Sequence, residues 1–230
     1  MALTVKRKPL RKPAKGYLSS KAKILASKDF SRKDRSNLRF LGSGSFVSTR
    51  ALSAKFVVKD PEPLSEKLGS VRATAKEEDR AHKKAAYITP VARKAFTQLV
   101  FNPREGTYTH VHVFERAKPL SSRNSIAKAF PGILRAIKRA ATRKMFLDAK
   151  VSNFGRVGRK LLLLDTGEIH ELKHDTHEEV ILSELNILMN SIEDHHKLTP
   201  DDKKALEARL HENVAKAFGP KVLAEFKRQG

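Results

Sequence analysis

The sequence predicts an α+β fold, β-rich in its first half and mostly helical in its second, behind a basic N-terminal arm. Three observations predict it. Short runs of branched and aromatic residues, bounded by turn formers, crowd residues 38–116. Apolar residues at helical spacing dominate residues 117–230. Lys and Arg fill residues 1–37 and leave little to bury there. A chain of 230 residues is long enough for one large domain or two small lobes with a real core.

The elements follow in order. Residues 1–35 hold twelve Lys or Arg against two Asp, interrupted by Pro9, Pro13 and Gly16. That composition predicts a flexible arm with a short helix near Ser19 to Ser27. Leu38 to Leu41 is a strand that ends in Gly42-Ser43-Gly44-Ser45-Phe46, and Ala54 to Lys59 is a second strand. Asp60-Pro61-Glu62-Pro63 stops it. Val71 to Ala86 is Ala-rich, charged and free of Gly and Pro, which predicts a helix. Phe96 to Phe101 and Thr107 to Glu115 form a hairpin around Asn102-Pro103-Arg104-Glu105-Gly106. The first half is therefore β, β, α, β-hairpin.

Beyond it, Ser125 to Phe146 is helical with a break or restart at Pro131-Gly132, and Leu161 to Leu164 is a short buried strand. Ile181, Leu182, Leu185, Leu188, Met189 and Ile192 mark a helix over Glu178 to Ile192. Thr199-Pro200 opens another, as N-cap and first helical residue, and Gly219-Pro220 closes it near Phe218. A last short helix follows.

Composition bounds the function. There is no cysteine, which excludes disulfides and thiolate metal sites and fits a reducing cytoplasm. Apolar runs such as Leu161 to Leu164 are far too short to span a bilayer, and the polar, basic start lacks a secretory h-region. The expectation is a cytoplasmic protein with no membrane partner. A net charge of +22, from 47 Lys and Arg against 25 Asp and Glu, attracts anions of any kind. Through the arm, nucleic acid or an acidic partner is the expected contact, against the plain alternative of a solvated tail.

Four motifs carry chemistry together. Glycines between two strands let main chain approach a phosphate, and Gly42-x-Gly44 has that form, although a plain turn has it too. Lys59 follows on the next strand within an apolar run, where its ammonium either snorkels to an edge or points at phosphates under the glycine loop. Asp148 stands five residues before Asn153. At that spacing a carboxylate can orient an attacking hydroxyl, an amide oxygen can bind a metal, and Lys150 between them can offset phosphoryl charge. Asp165 ends the strand Leu161 to Leu164, placed to ligate Mg²⁺, and Gly167 lets the chain turn away. The twelve residues from Asn153 to Asp165 leave room for a hairpin that joins the two metal ligands.

Taken together these residues resemble a protein kinase. Gly42 to Phe46 is similar to the glycine-rich loop, and Val57-Val58-Lys59 to the strand bearing the phosphate-pairing lysine. Asp148 to Asn153 matches the Asp-x-Lys-x-x-Asn catalytic loop, and Asp165-Thr166-Gly167 resembles the Asp-Phe-Gly metal motif. The match covers residues 38–170, and the short kinases of tailed phages are the nearest type, which would place the chain in a host cytoplasm.

The resemblance implies a two-lobed protein-kinase-like fold, with a small β-rich N-lobe 38–116 and a mostly helical, reduced C-lobe 117–230, joined by a hinge near Glu115-Arg116-Ala117. It implies a serine/threonine protein kinase that uses ATP and Mg²⁺ on a protein substrate. Asp148 and Lys150 would be catalytic, and Asn153 and Asp165 metal ligands. Gly42, Gly44, Phe46, Lys59, Glu78, Glu115 and Ala117 would form the ATP site. Glu77 and Glu78 both lie at a distance suited to pair with Lys59, and Glu78 is preferred. Lys150 favours a protein hydroxyl over a sugar or antibiotic. The chain also departs from the pattern. Val47 replaces the third glycine, Phe146-Leu147 replaces His-Arg before the catalytic Asp, and no Ala-Pro-Glu follows Asp165. Control by a phosphorylated activation loop is accordingly not expected.

Rival readings are a kinase fold that has lost catalysis and serves as a basic scaffold or nucleic-acid-binding protein, and a zinc metalloprotease through His170-Glu171-Leu172-Lys173-His174. The second needs His170 and His174 on one helical face, with Glu171 as base. A looser metal site would use His170, His174 and His177.

Overall fold

Burial on both faces of one small sheet and around one helical bundle organises the chain. The computed structural model describes residues 18–32, 38–43, 47–61, 68–102, 107–167 and 169–229. The first lobe comprises helix α1 (Ser20–Arg32), strands β1 (Phe40–Ser43), β2 (Val47–Ala51) and β3 (Phe56–Pro61), helix α2 (Leu68–Ile88), and strands β4 (Lys94–Asn102) and β5 (Thr107–Glu115). The second holds β6 (Lys118–Pro119), α3 (Arg123–Ala127), α4 (Phe130–Thr142), β7 (Phe154–Val157), β8 (Lys160–Leu163), α5 (His177–Glu193), α6 (Pro200–Phe218) and α7 (Pro220–Gln229).

Among the described residues the first lobe is an antiparallel sheet in the order β1-β2-β3-β5-β4. Its strands alternate, so each face has its own set of side chains. One face buries Phe56, Val58, Val111 and Val113 in a cluster with Leu18, Ala26, Leu38 and Leu52. The other carries Val57, Phe114, His110 and His112, all buried. Lys59 and His112 are direct cross-strand partners, which puts them on that second face.

The helical lobe packs α4 against α5 and α6. Ile133, Leu134 and Ile137 meet Ile181, Leu185, Leu188, Leu206 and Leu210 in one cluster. Each such side chain, fully buried, stabilises the fold by about 1.5–3 kcal/mol. Thr176 caps α5 through a reciprocal box with Glu179, and Thr199 caps α6 through Asp202 N–H at 3.2 Å. A short sheet, β6-β7-β8, closes the lobe toward the first one. Gly155 of β7 is required there, because a Cβ would stand 2.9 Å from the Lys118 carbonyl oxygen.

The fold is thus mixed α+β, with a small antiparallel sheet lobe and a helical lobe, consistent with the kinase-like fold the sequence predicts. Several expectations need correction. Strand β2 is an addition: Val-Ser-Thr-Arg-Ala shows no apolar alternation, and pairing with β3 makes it a strand. Part of the span 1–37 expected as an arm packs on the sheet lobe. Leu18 and Ala26 are buried in the sheet core, and Leu18 N–H donates to Lys94 O at 3.1 Å, so α1 belongs to the first lobe. The restart expected at Pro131-Gly132 is present, in contrast: Arg123–Ala127 and Phe130–Thr142 are two helices, with Pro131 in the first turn of the second. Residues 1–17 of the arm, Gly44 and Phe46 of the glycine loop, the 103–106 turn and Glu62-Pro63 lie outside the described residues. Among those described, no helix is long and apolar enough to cross a membrane.

Candidate functional site

The loop between α4 and β7 is organised by contacts to α5. Asp148 is 6% exposed and adopts φ +54°. A non-glycine residue in this left-handed region stores about 1–3 kcal/mol and persists only where its surroundings hold it. Glu184, fully buried on α5, supplies that hold. Its carboxylate accepts the N–H of Ala149 at 2.9 Å and also the N–H of Leu147, the residues on either side of Asp148. Two turns further along α5, Ser191 Oγ accepts the Val151 N–H at 3.0 Å. Alternate main-chain donors at 147, 149 and 151 are therefore tied to one helix.

Burial pushes the Glu184 carboxyl up to about 7, the charge of Asp148 pushes the same way, and the hydrogen bonds from the loop N–H groups oppose both.

Asp148 faces the cleft with two partners. Asn153 Nδ2 donates to its carboxylate at 2.8 Å, and Lys150 Nζ lies at 3.1 Å. The same Asn153 nitrogen donates to the Asp148 carbonyl at 2.9 Å, which fixes the loop as a closed ring and leaves the amide oxygen as the acceptor atom of the Asn153 side chain. Leu164 N–H donates to Asn153 O at 2.7 Å, so the loop and the end of β8 are fastened side by side. Asp165 comes next in the chain. Its side chain is 48% exposed and stands 3.7 Å from Lys59 Nζ, across the cleft between the lobes. Lys59 also donates to Leu164 O at 2.9 Å and lies over the Phe114 ring at 5.8 Å. A small cavity of about 60 Å³ opens here, lined by Lys59, Glu78, His112, Phe114, Asp165 and Thr166 among others.

Five of the residues singled out from sequence, Lys59, Asp148, Lys150, Asn153 and Asp165, thus converge. The remaining ones fare differently. Gly42 sits in β1 opposite Thr49, just before the undescribed loop tip. Gly167 does not need its conformational freedom, since its φ is not positive; its N–H donates to Asp165 Oδ1 at 3.2 Å. At the hinge, Glu115 directs its carboxylate at Arg93, at 2.5 and 2.8 Å, and its N–H at Arg93 O, so its side chain turns away from the cleft. Arg116 N–H bonds Lys55 O at 2.8 Å, and Ala117 is half-buried beside Gly155. Glu78 is the inward-facing glutamate of α2 and Glu77 is exposed, as the preference required. The Glu78 carboxylate nevertheless meets His112 and His110 and not Lys59. Those imidazoles stand on the same sheet face as Lys59 but closer to α2. Burial pushes the Glu78 carboxyl up, yet the two imidazoles outweigh it and hold it well below the usual carboxylate range.

The zinc-protease geometry does not form. His170 to His174 runs outside any helix, bridging to Met145, with Phe146 N–H on His170 O and Leu172 N–H on Lys144 O. Glu171, its required base, pairs with Lys84 at 2.7 Å. The two histidines therefore share no helical face.

Sequence reasoning missed Glu184, although a signal existed. A charge at the position of an apolar stripe, beside Ile181, Leu185 and Leu188, has to be buried and partnered. It also passed over His110 and His112, which alternate with Val111 and Val113 on a central strand.

No protein-family model matches the sequence, and no curated protein matches it. Among solved structures the chain is similar to one described as "WaaP in complex with acyl carrier protein", at 12% identity over 92% of this chain and 96% of that one, with a TM-score of 0.43. The chemistry of the cleft therefore rests on its own residues.

Proposed function

We propose that the chain is an ATP- and Mg²⁺-dependent phosphotransferase, and that it acts as a serine/threonine protein kinase. The observation that carries this reading is the approach of Lys59 to Asp165, 3.7 Å apart, beside an Asp148–Asn153 pair bonded at 2.8 Å. Elements far apart in the chain bring together a cation for phosphates, oxygen donors for a metal and a carboxylate for a hydroxyl.

The donor set fits a hard cation: a half-exposed carboxylate at Asp165 and the amide oxygen of Asn153 are oxygen ligands of the kind Mg²⁺ takes. When bound, Mg²⁺ supplies neutralisation of phosphate charge. Lys59 holds the phosphates from the sheet side. Asp148, kept in its strained conformation by Glu184, orients the attacking hydroxyl and takes up its proton. Lys150, 3.1 Å from Asp148, offsets charge on the phosphoryl oxygens and favours a protein hydroxyl as acceptor. The acceleration comes from positioning and fixed charge.

One observation favours a second reading, a catalytically silent scaffold of the same fold: Glu78 is engaged by His112 and leaves Lys59 without a glutamate partner from α2. Incubation of the pure protein with Mg²⁺ and γ-labelled ATP separates the two. Label on protein that disappears in Asp148→Asn and Lys59→Ala is the expected result. No label, together with no protection of the protein by Mg-ATP against heating, would leave the scaffold.

A further inference from the structure

We infer that Glu78, His110 and His112 form a binding site for one divalent first-row transition cation, of which Zn²⁺ is the representative, clamping helix α2 to strand β5. No sequence motif announces the site. Strand alternation makes it, because residues 110 and 112 point to the same face of β5, and α2 lays Glu78 over them.

Three potential ligand groups meet here, and the His112–Glu78 hydrogen bond would open to admit an ion. One ring nitrogen of each histidine and one Glu78 oxygen lie within 4.8 Å of one another. Ligands about 2.0–2.1 Å from a tetrahedral ion are roughly 3.3 Å apart, and His110 Nε2 stands 3.2 Å from Glu78 Oε2. His112 Nε2 converges on that same oxygen. The rings are nearly perpendicular, 4.8 Å between centroids, so both nitrogens reach one point without stacking.

An independent observation points to a ligand. His110 is 5% exposed, and its Nε2 faces Glu78 Oε2 at 3.2 Å without the angle of a hydrogen bond. A buried imidazole nitrogen that faces a carboxylate and a second imidazole off hydrogen-bond angle is satisfied better by a cation among the three than by the carboxylate alone. Outer support is present too. His112 Nδ1 is bonded to Thr97 Oγ1 on the neighbouring strand at 2.8 Å, which fixes the ring with Nε2 toward the site.

Charge and ligand type agree. Both nearby cations are engaged elsewhere, Lys94 with Asp79 at 2.5 Å and Lys59 with Leu164 O at 2.9 Å and Asp165 at 3.7 Å, so the immediate surroundings retain the Glu78 charge for a metal. Two imidazoles and a carboxylate suit borderline ions such as Zn²⁺, Co²⁺ or Fe²⁺, and are poor for Mg²⁺ or Ca²⁺. The small cavity that His112 and Glu78 share with Lys59 has room for a water as further ligand. The site stands whether or not the cleft transfers phosphate. If it does, metal occupancy would keep Glu78 from Lys59.

The test uses the full chain, stripped with a chelator and titrated with Zn²⁺ alone. One equivalent is expected to bind, raising the melting temperature by roughly 5 °C or more at saturation. His110→Asn, His112→Gln and Glu78→Gln should each weaken binding by about 10-fold to 100-fold, while His170→Ala and His174→Ala should not. Circular dichroism of the metal-free variants checks that they fold. Should they not, X-ray absorption at the zinc edge of the wild-type protein decides, and two imidazole scatterers with oxygen completing the shell are expected. Absence of stoichiometric Zn²⁺ binding, binding that survives His110→Asn with His112→Gln, or a zinc shell without two imidazoles would each overturn the site.

Discussion

Glu184 grips the main chain on both sides of Asp148, accepting the N–H of Leu147 and of Ala149 from within the helical core. A single side chain thereby joins the packing of α5 to the backbone geometry of the loop. Glu184→Ala strands two buried donors, at about 1–3 kcal/mol each. Destabilisation of about 2–5 kcal/mol in urea unfolding is expected. Glu184→Gln, which keeps an acceptor oxygen, should lose less. Label transfer should fall further than stability in both, because φ +54° at Asp148 loses its support. An alanine variant as stable as the parent would refute the bracing role.

The same carboxyl makes stability depend on pH. Burial raises it from 4.5 to about 7, so between those values the native state binds more protons than the unfolded one. Stability from this group is fully present below about 4.5 and is lost as pH rises through about 7, in total about 3 kcal/mol at most. Glutamine at 184 does not titrate. The stability of Glu184→Gln relative to the parent should therefore increase steadily from about pH 5 to about pH 8. A pH-independent difference would show that Glu184 is ionised throughout.

Much of this was legible in the sequence because local chemistry dictates it. Thr199-Pro200 could only open a helix, Gly219-Pro220 could only end it, and the spacing from Asn153 to Asp165 left room for little besides the β7–β8 hairpin. What was not legible depends on tertiary partners. Val47 to Ala51 is a strand because β1 and β3 flank it. Leu18 and Ala26 sit in a segment whose composition is that of a solvated arm, and only the sheet face that receives them distinguishes them from it. Glu78 followed the expected register on α2, but its partner was chosen by two histidines that no spacing rule connects to it.

That placement of α1 gives a prediction about truncation. Removing residues 1–17 spares Leu18 and Ala26, whereas removing residues 1–32 uncovers the Phe56–Val58–Val113 cluster and strips Lys94 O of its Leu18 donor. Loss of the Leu18 side chain alone is worth about 1.5–3 kcal/mol. The shorter deletion should leave the melting temperature within about 2 °C of the parent, and the longer should lower it by about 4–10 °C. Equal melting temperatures would mean that α1 contributes nothing to the sheet lobe. Nucleic-acid affinity in the two truncations, followed against salt, then separates charge on the first 17 residues from charge on α1. Each lost phosphate contact should reduce the log–log slope by about 0.9.

Asp165 offers the sharpest separation of function from stability. Its only cation within ion-pair reach among the described contacts is Lys59 at 3.7 Å, and its side chain is half exposed, so screening leaves that pair worth about 0–1 kcal/mol. Its other bond, from Gly167 N–H at 3.2 Å, is exposed as well. Asp165→Ala should therefore unfold within about 1 kcal/mol of the parent. Removal of a metal ligand should nevertheless reduce label transfer by about 100-fold or more. Lys59→Ala should behave alike in transfer but lose more stability, because the lysine also bonds Leu164 O and packs over Phe114 at the lobe junction. The two variants measured side by side distinguish a catalytic cleft from a structural one. If Asp165→Ala retained full transfer, the metal would have to be held elsewhere. If it lost stability and transfer in proportion, Asp165 would be part of the scaffold that joins the lobes.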